Sequence, residues 1–153
     1  MPNAKHLAAA LAISSAGLVA VTQHEGVRFN AYLDIAGIPT ICVGSTSDVQ
    51  LGMRASKAEC DRRLRTDMNY AEHFVKQCVR VPITQNQYDA MASFVFNVGG
   101  SAFCNSTLLR RLNAGDYAGA GREFPRWSYA AGKYSEGLNK RRLAEQAVFL
   151  KDN

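Results

Sequence analysis

The sequence predicts a mostly helical α+β protein, with a small antiparallel sheet lobe near the N-terminus and a larger helical lobe. Three observations support this prediction. Residues 26–46 alternate apolar and polar side chains around a turn at Gly37-Ile38-Pro39, as the strands of a hairpin do. After residue 56, apolar residues recur at helical spacing behind capping residues. No repeat or low-complexity linker interrupts the chain.

The first helix is expected over about residues 16–25, with Ser14 or Ser15 as its N-terminal cap. The residues before it, 1–15, are expected to form an N-terminal tail. A single domain is expected over residues 16–153.

The apolar stretch near the N-terminus allows two interpretations. No side chain between His6 and His24 is charged, and residues 7–21 are rich in alanine. The stretch is short for a membrane-spanning helix, which needs about 20 apolar residues, yet Lys5 and the apolar residues after it resemble a signal peptide. One interpretation is a weak export segment, or an anchor that touches the membrane transiently. The other is a floppy tail in front of an amphipathic helix, and the two are compatible.

The predicted sheet is one hairpin. Its first strand is expected where Phe29, Ala31, Leu33 and Ile35 alternate with Asn30, Tyr32 and Asp34. Its second strand is expected over residues 40–43, after the Gly-Ile-Pro turn. The residues from Gly44 to Gly52 are expected to form a loop.

Two capping boxes mark the starts of helices. Ser56 with Glu59 opens one, and Thr84 with Gln87 opens another. The segment behind the second box is apolar nearly all round, as in a central buried helix, and Gly99 with the glycine after it ends this segment. The expected helices are 57–78, 88–100, 106–113, 117–124 and 136–151.

Composition limits the classes of protein that the chain can represent. Its 153 residues are 47% hydrophobic and 20% charged, which suits a compact domain and excludes a disordered chain. Eighteen Lys and Arg against thirteen Asp and Glu give a net charge of +5. Such a charge favours anionic partners: nucleic acid, acidic lipid or bacterial wall polymer. It is equally compatible with an ordinary basic surface.

Four cysteines, at positions 42, 60, 78 and 104, are too far apart for a CxxC motif, and the chain has only three histidines. No metal site is therefore expected. An even number of cysteines allows two disulfides in an oxidising compartment, or four buried thiols. Cys42–Cys60 and Cys78–Cys104 are candidate pairs, but four cysteines allow three connectivities and the sequence does not choose among them.

The candidate chemistry lies in two carboxyl groups nine residues apart. Glu25 comes where the first helix gives way, among apolar neighbours, so partial desolvation would favour its protonated, proton-donating form. Asp34 lies in the polar register of the hairpin and is expected to stay ionised. Two carboxyls with opposite tasks are typical of glycoside hydrolysis, and the Thr40 hydroxyl can hold a water. The competing interpretation is a surface aspartate and a helix-end glutamate without a shared role.

The string EGVRFNAYLDIAGIPTI, residues 25–41, resembles the signature of the phage-type lysozymes, the endolysins of glycoside hydrolase family 24. The likeness continues as SKAECDRRLRTD, VPITQNQYDAMASFVFNVGGSAF, STLLRRLNAGD, RWSYAAGK and GLNKRR, over about residues 15–150. It implies a lysozyme-like fold with an active-site cleft between the lobes. It also implies a muramidase that hydrolyses the β-1,4 bond between N-acetylmuramic acid and N-acetylglucosamine in peptidoglycan, for host cell lysis.

The same resemblance implies a catalytic triad of Glu25, Asp34 and Thr40. Glu25 would be the general acid, Asp34 would stabilise positive charge at the anomeric carbon or position the attacking water, and Thr40 would help to hold that water. The family suggests inversion of configuration, and no cofactor or metal is required. The chain departs from many relatives at Ser45, where they carry a histidine; this puts in doubt any hydrogen bond of that histidine at the cleft, but not the triad.

Four further residues are candidates for substrate binding. Tyr32 would line the cleft. Asn97 would bind an acetamido group, or only cap the end of the buried helix. Arg141 or Arg142 would bring a guanidinium group to Glu25 or to the substrate; the alternative is a pair with Glu145 on a solvated helix face.

We expect the partner to be bacterial peptidoglycan and not nucleic acid, the chain to be a monomer, and membrane contact to be transient and made through residues 7–21. The expected location is the host periplasm during lysis, after inner-membrane association or storage in the cytoplasm. Other functions stay open: a lytic transglycosylase, which can work from one glutamate; a non-catalytic cationic membrane-active protein; and a wall-binding module.

Overall fold

The structure, a computed structural model, describes residues 4–151. Its α-helices are α1 (Ser15–Glu25), α2 (Lys57–Cys78), α3 (Gln85–Val98), α4 (Gly100–Cys104), α5 (Thr107–Asn113), α6 (Tyr117–Arg122) and α7 (Glu136–Phe149). Its strands are β1 (Arg28–Leu33), β2 (Pro39–Cys42), β3 (Tyr129–Ala130) and β4 (Lys133–Tyr134), and 3₁₀ turns occupy Ala8–Ala10 and Phe124–Trp127. The α+β class predicted from the sequence is confirmed.

The chain folds into two compact units. The sheet unit is Leu18–Tyr70. The helical unit combines the described residues up to Gly17 with those from Ala71 onward.

The sheet unit contains the predicted antiparallel hairpin of β1 and β2. Tyr32 of β1 pairs with Thr40 of β2, and the register shifts through a bulge towards the start of β1. A further extended segment lies beside β1, because the Ala31 N–H donates to the Met53 carbonyl at 2.9 Å. These bonds fix the position of the chain on both sides of the turn at residues 34–38.

The core of the sheet unit comes mostly from β2 and the segment after it. It consists of Ile41, Cys42, Val49, Ala55 and Cys60, with Ala31 and Met53 packed against it. The apolar side chains whose alternation predicts β1 are largely exposed: Phe29 by 36%, Leu33 by 52% and Ile35 by 108%. A two-stranded hairpin has little surface to bury, so alternation identified the strand but not which face is covered.

The predicted buried helix is α3, which begins at Gln85, three residues earlier than expected. Its capping box is present: the Gln87 N–H donates to the Thr84 hydroxyl at 3.1 Å, and the Thr84 N–H donates to the Gln87 side chain at 2.9 Å. Gly99, with φ of 92°, ends the helix. Its buried residues include Tyr88, Ala90, Met91, Ala92, Phe94 and Val95.

Aromatic rings fill the interior of the helical unit around Phe94. The Phe94 ring meets those of Phe103, Phe124 and Trp127 edge to face, with centroids 6.3, 5.4 and 5.3 Å apart. Such edge-to-face pairs are favourable beyond the area that they bury. They fix the side of α3 that faces α7 and the 3₁₀ turn before it.

The N-terminal segment is held in the helical unit, and the floppy tail expected from the sequence is wrong for the described residues. His6 and Ile83 exchange two backbone hydrogen bonds of 2.8 Å. The Ile13 N–H donates to the Glu72 carboxylate at 2.7 Å, and the Ser14 N–H donates to the Asp89 carboxylate at 3.0 Å. The segment is ordered because its backbone donors meet acceptors that lie far away in the sequence. The Ser14 hydroxyl also accepts the Gly17 N–H at 3.1 Å, so Ser14 is the cap of α1.

Within residues 4–151, no helix has both the length and the apolar composition needed to cross a membrane.

Three features of the fold differ from the predicted elements, and the first is α4, which the sequence did not predict. A second small hairpin, β3 with β4, turns at Ala131 and Gly132, both at positive φ; its two-residue strands are too short to show a periodicity. At the start of α2, the Ser56 hydroxyl accepts the Glu59 N–H at 3.1 Å as predicted, but the Glu59 carboxylate pairs with Arg63 at 3.4 Å.

Candidate active site

The three residues of the predicted triad all lie in the sheet unit. Glu25 is the last residue of α1, Asp34 lies in the turn after β1, and Thr40 belongs to β2. Helix α1 ends there because Gly26 takes a φ of 78°, which glycine adopts without the strain of a side chain. The Gly26 N–H still donates to the Thr22 carbonyl at 2.8 Å, so the backbone at Glu25 is held by the last helical turn.

The Glu25 side chain is exposed. The partial burial that the sequence predicts for it is therefore wrong. Its apolar neighbours do not cover it, since Val19 is 56% and Val27 is 39% exposed. The carboxyl group is accessible to a ligand from solvent.

Asp34 is fixed by its own turn. Its Oδ1 accepts the N–H groups of Ala36 and Ile38 at 2.8 and 2.9 Å. Its backbone N–H donates to the Ile38 carbonyl at 3.0 Å, and its carbonyl accepts the Gly37 N–H at 2.9 Å. Gly37 has a φ of 77°, which this turn requires. These two side-chain bonds fall on one oxygen, which sets the direction of the half-buried carboxylate.

Thr40 is connected to Asp34 through the backbone of Ile38. The Thr40 hydroxyl donates to the Ile38 carbonyl at 2.8 Å, and the same carbonyl accepts the Asp34 N–H. Thr40 is only 3% exposed. Because the hydroxyl hydrogen is donated to Ile38, the lone pairs of the hydroxyl oxygen can accept a hydrogen bond from a water. The turn therefore brings a carboxylate and a hydroxyl oxygen into one hydrogen-bonded unit.

Tyr32 is half-buried and lies under a cation. The guanidinium carbon of Arg28 lies 3.9 Å from the centre of the Tyr32 ring, within the range of a cation–π contact. Backbone pairing with Thr40 places Tyr32 directly across the hairpin from the predicted triad threonine.

Ser45, the position at which the sequence departs from the family resemblance, is buried in a polar cluster. Arg63 donates to the Ser45 hydroxyl at 3.3 Å and to the Ser47 carbonyl at 2.8 Å. Burial raises the pKa of Asp67, although a hydrogen bond with Ser45 and the charge of Arg63 lower it. Asp67 was not among the residues predicted from the sequence. It lies four residues after Arg63 along α2, and this spacing, which places both on one helix face, is the signal that could have found it.

The other predicted substrate-binding residues lie in the helical unit. Arg141 is 7% and Arg142 is 0% exposed, and both pair with Glu145, at 3.3 and 3.0 Å. The predicted pairing with Glu145 is present, but the predicted solvated helix face is wrong, because Glu145 is only 2% exposed. Direct contact between Arg142 and a ligand would require this network to open. Asn97 is exposed near the end of α3, and its amide oxygen accepts from Arg142 at 2.5 Å.

Burial raises the pKa of Glu145, while Arg142, Ser93 and Arg141 lower it. The Ser93 hydroxyl donates to Glu145 at 2.6 Å, and Arg141 donates to the Ser93 carbonyl at 3.2 Å. Two cations and a hydroxyl therefore surround one carboxylate inside the helical unit, between α3 and α7. Each partner compensates for part of the cost of burying the others.

Of the three cysteine connectivities, the structure has Cys42–Cys60 in the sheet unit and Cys78–Cys104 in the helical unit. Their Cα atoms are 5.0 and 5.7 Å apart, within the usual range for a disulfide. Among residues 4–151, no group of three or more His, Cys, Asp and Glu side chains is arranged to hold a metal ion.

Comparisons with known proteins agree with this fold. The family model described as phage lysozyme matches residues 22–145. An endolysin of Acyrthosiphon pisum secondary endosymbiont phage 1 is 44% identical over 141 residues, which cover 90% of this chain and 97% of that protein. A SAR-endolysin of Escherichia phage Mu is 45% identical over 126 residues, covering 82% of this chain and 73% of that protein.

Among solved structures, a crystal structure of a P22 lysozyme mutant superposes with a TM-score of 0.88 at 41% identity. The match covers 92% of this chain and 99% of that one. The predicted lysozyme-like fold is thereby confirmed, and the class of protein is a lysozyme-type glycoside hydrolase. The chain belongs to the phage lysozyme family.

Proposed function

We propose that this chain is an endolysin that hydrolyses the β-1,4 bond between N-acetylmuramic acid and N-acetylglucosamine in bacterial peptidoglycan, and so lyses the host cell. The observation that supports this proposal best is the turn that joins Asp34 and Thr40. Ile38 accepts from both residues through its carbonyl and donates to Asp34 through its N–H. Together with the exposed Glu25, the turn supplies the groups that glycoside hydrolysis needs.

Each residue then has one task. Glu25 gives its proton to the bridging oxygen, the glycosidic bond breaks, and positive charge develops at the anomeric carbon. Asp34 stabilises that charge or positions the water that attacks the carbon; its second oxygen, Oδ2, is suited to this, since Oδ1 is occupied by the turn. The oxygen of Thr40 accepts a hydrogen bond from that water, and the proton that the water releases passes to Asp34. Attack from the face opposite the leaving group gives inversion.

The test compares wild type with Glu25→Gln and Asp34→Asn on permeabilised Gram-negative cells, with the loss of turbidity as the readout. Loss of a positioned acid or base typically costs about 10² to 10⁴ in rate, so we expect both variants to fall by that amount while keeping the wild-type melting temperature. Lysis that persists in Glu25→Gln would contradict the proposal and favour a cationic membrane-active protein instead. Mass spectrometry of the products distinguishes hydrolysis, which leaves a reducing end, from transglycosylation, which leaves a 1,6-anhydro end.

We also propose that the chain acts as a monomer in the host periplasm, after transient contact with the inner membrane through residues 7–21. The apolar stretch supports this location, as does similarity to a protein named SAR-endolysin. In the structure, Ile13 and Ser14 are bonded to Glu72 and Asp89, so membrane contact requires these bonds to open. Fractionation of expressing cells tests the location, and gel filtration tests the monomer. A chain found only in the cytoplasm at the onset of lysis would contradict the first proposal, and elution as a dimer the second.

A further inference from the structure

Asn97 lies in the last turn of α3, and its side chain is exposed. Its amide oxygen lies 2.5 Å from Nη2 of Arg142, which belongs to α7. An exposed amide is usually free to turn its oxygen or its nitrogen outward. In this chain, the amide oxygen of Asn97 is hydrogen-bonded to Arg142, which is buried inside the protein.

Arg142 is held firmly. Its side chain is fully buried, and its Nε lies 3.0 Å from Glu145. Its guanidinium carbon lies 5.0 Å from the centre of the Phe94 ring, within cation–π range. Glu145 is fixed in turn by the Ser93 hydroxyl at 2.6 Å and by Arg141 at 3.3 Å. The guanidinium group that meets Asn97 is therefore a preorganised support, with little freedom to follow a mobile side chain.

A guanidinium group has five N–H donors and no acceptor. Of the two ends of the Asn97 amide, only the oxygen can therefore accept a hydrogen bond from the guanidinium group. The planar amide then turns its NH₂ group away from Arg142. Asn97 is thus restricted to one of its two chemical faces: it offers hydrogen-bond donors.

We propose that Arg142 is a positioning residue that locks Asn97 as a donor to the carbonyl oxygen of an N-acetyl group on the substrate sugar. This inference rests on the proposed function, because the wall polymer is the substrate that carries such groups. It assigns Arg142 an indirect role, in keeping with its burial, and it gives Asn97 a defined ligand chemistry. The acetamido carbonyl is an acceptor and matches the NH₂ group.

The arrangement makes a specificity prediction. A sugar that has lost its acetyl group carries an ammonium group, which only donates and is charged. Facing the Asn97 NH₂, it would find no acceptor, and an unpaired polar group at a binding site costs affinity. The chain should therefore prefer N-acetylated wall over the same wall after chemical removal of acetyl groups.

The test uses Asn97→Asp, with steady-state kinetics on soluble peptidoglycan fragments that are N-acetylated or chemically de-N-acetylated. An aspartate keeps the bond to Arg142 but turns an acceptor outward, so we expect KM on acetylated fragments to rise about tenfold, as the loss of one well-placed hydrogen bond would. We expect kcat to stay within about twofold and the preference for acetylated fragments to shrink. Asn69→Asp, an exposed residue of α2, makes the same change in charge and should leave both constants unchanged.

Two outcomes would overturn the inference: an unchanged KM for Asn97→Asp, or an unchanged preference between the two substrates. Both would leave the proposed function standing as long as wild type cleaves acetylated fragments and Glu25→Gln does not. If wild type cleaves neither substrate, the proposed function fails first.

The positioning role of Arg142 is tested by comparing a conservative variant, which should retain the role, with one that removes it. Arg142→Lys keeps a buried donor and should raise KM less than about threefold, whereas Arg142→Met removes it and should raise KM about as much as Asn97→Asp does. Equal KM values for the lysine and methionine variants would contradict the positioning role. If circular dichroism shows that Arg142→Met does not fold, the lysine variant and Asn97→Asp decide the question.

Discussion

Thr40 is a single buried hydroxyl for which we propose a part in both folding and chemistry. It closes the turn by donating to Ile38, and its oxygen keeps lone pairs for a water. Replacing it by valine preserves shape and removes both functions. We expect Thr40→Val to lower kcat about a hundredfold and the free energy of unfolding by about 1 kcal/mol.

Turbidity assays and urea denaturation measure these two effects. Thr40→Ser keeps the hydroxyl and is the matched control. If the valine variant were as active as the serine variant, Thr40 would have no part in holding the water.

The raised pKa of Asp67 leads us to expect that the stability of the protein depends on pH. Burial raises its pKa above the ordinary value of 3.8, so the folded state takes up a proton at a higher pH than the unfolded state does. The free energy of unfolding contributed by this group therefore falls as pH rises from about 3.8 through the raised pKa, and the cost is complete above it. Asp67→Asn should gain stability relative to wild type across that window and hold a constant difference above it.

Thermal unfolding over a series of pH values measures this difference. Asp61→Asn, an exposed residue of the same helix, is the control. A difference between Asp67→Asn and wild type that does not vary with pH would contradict the assignment.

At the scale of elements, the contact between α3 and α7 depends on Glu145. Glu145→Gln keeps the shape of the side chain but leaves Arg141 and Arg142 buried without their counter-ion. Breaking a buried pair in this way costs about 3–5 kcal/mol, which we expect to see as a lower midpoint of chemical denaturation. Glu136→Gln, in the exposed first turn of α7, should cost only a few tenths of a kcal/mol. Similar losses for the two variants would show that the buried network adds nothing to stability.

Elements with local signals were predicted well. The caps at Thr84, Asp116 and Ser135 are present, and α3, α6 and α7 follow them. A helix cap depends on residues within one helical turn, so it can be predicted without knowing the tertiary contacts. The alternation of apolar residues around β1 located the strand but not its buried face, and Leu33 in β1 and Ile35 after it are exposed.

At the scale of the whole molecule, each unit contains one disulfide. Cys42–Cys60 closes a loop with a sequence separation of 18, and Cys78–Cys104 one of 26. Loop-closure entropy gives about 3 kcal/mol for each, which corresponds to about 6–12 °C in Tm for a chain of this size. We expect Cys78→Ser with Cys104→Ser to lower Tm by that amount.

Cys42→Ser with Cys60→Ser should lower Tm similarly and also reduce activity, because Cys42 lies two residues from Thr40 in β2. Scanning calorimetry and turbidity assays with and without reducing agent measure both effects. If reducing agent changed neither Tm nor activity, the disulfides would have no role in holding the site.

The sequence by itself determined most of the helices, the first hairpin and the spacing of Glu25, Asp34 and Thr40, because these depend on caps, turns and residues close along the chain. Only the tertiary structure decided which groups are buried and what they bind. Ile13 meets Glu72 across 59 residues, and Arg142 meets Asn97 across 45. Hydrogen bonds over such separations are chosen by packing, and burial is a property of the neighbours that arrive from elsewhere in the chain. For that reason the sequence pattern that singled out Arg142 could not show that its guanidinium group lies buried against Asn97 and Glu145.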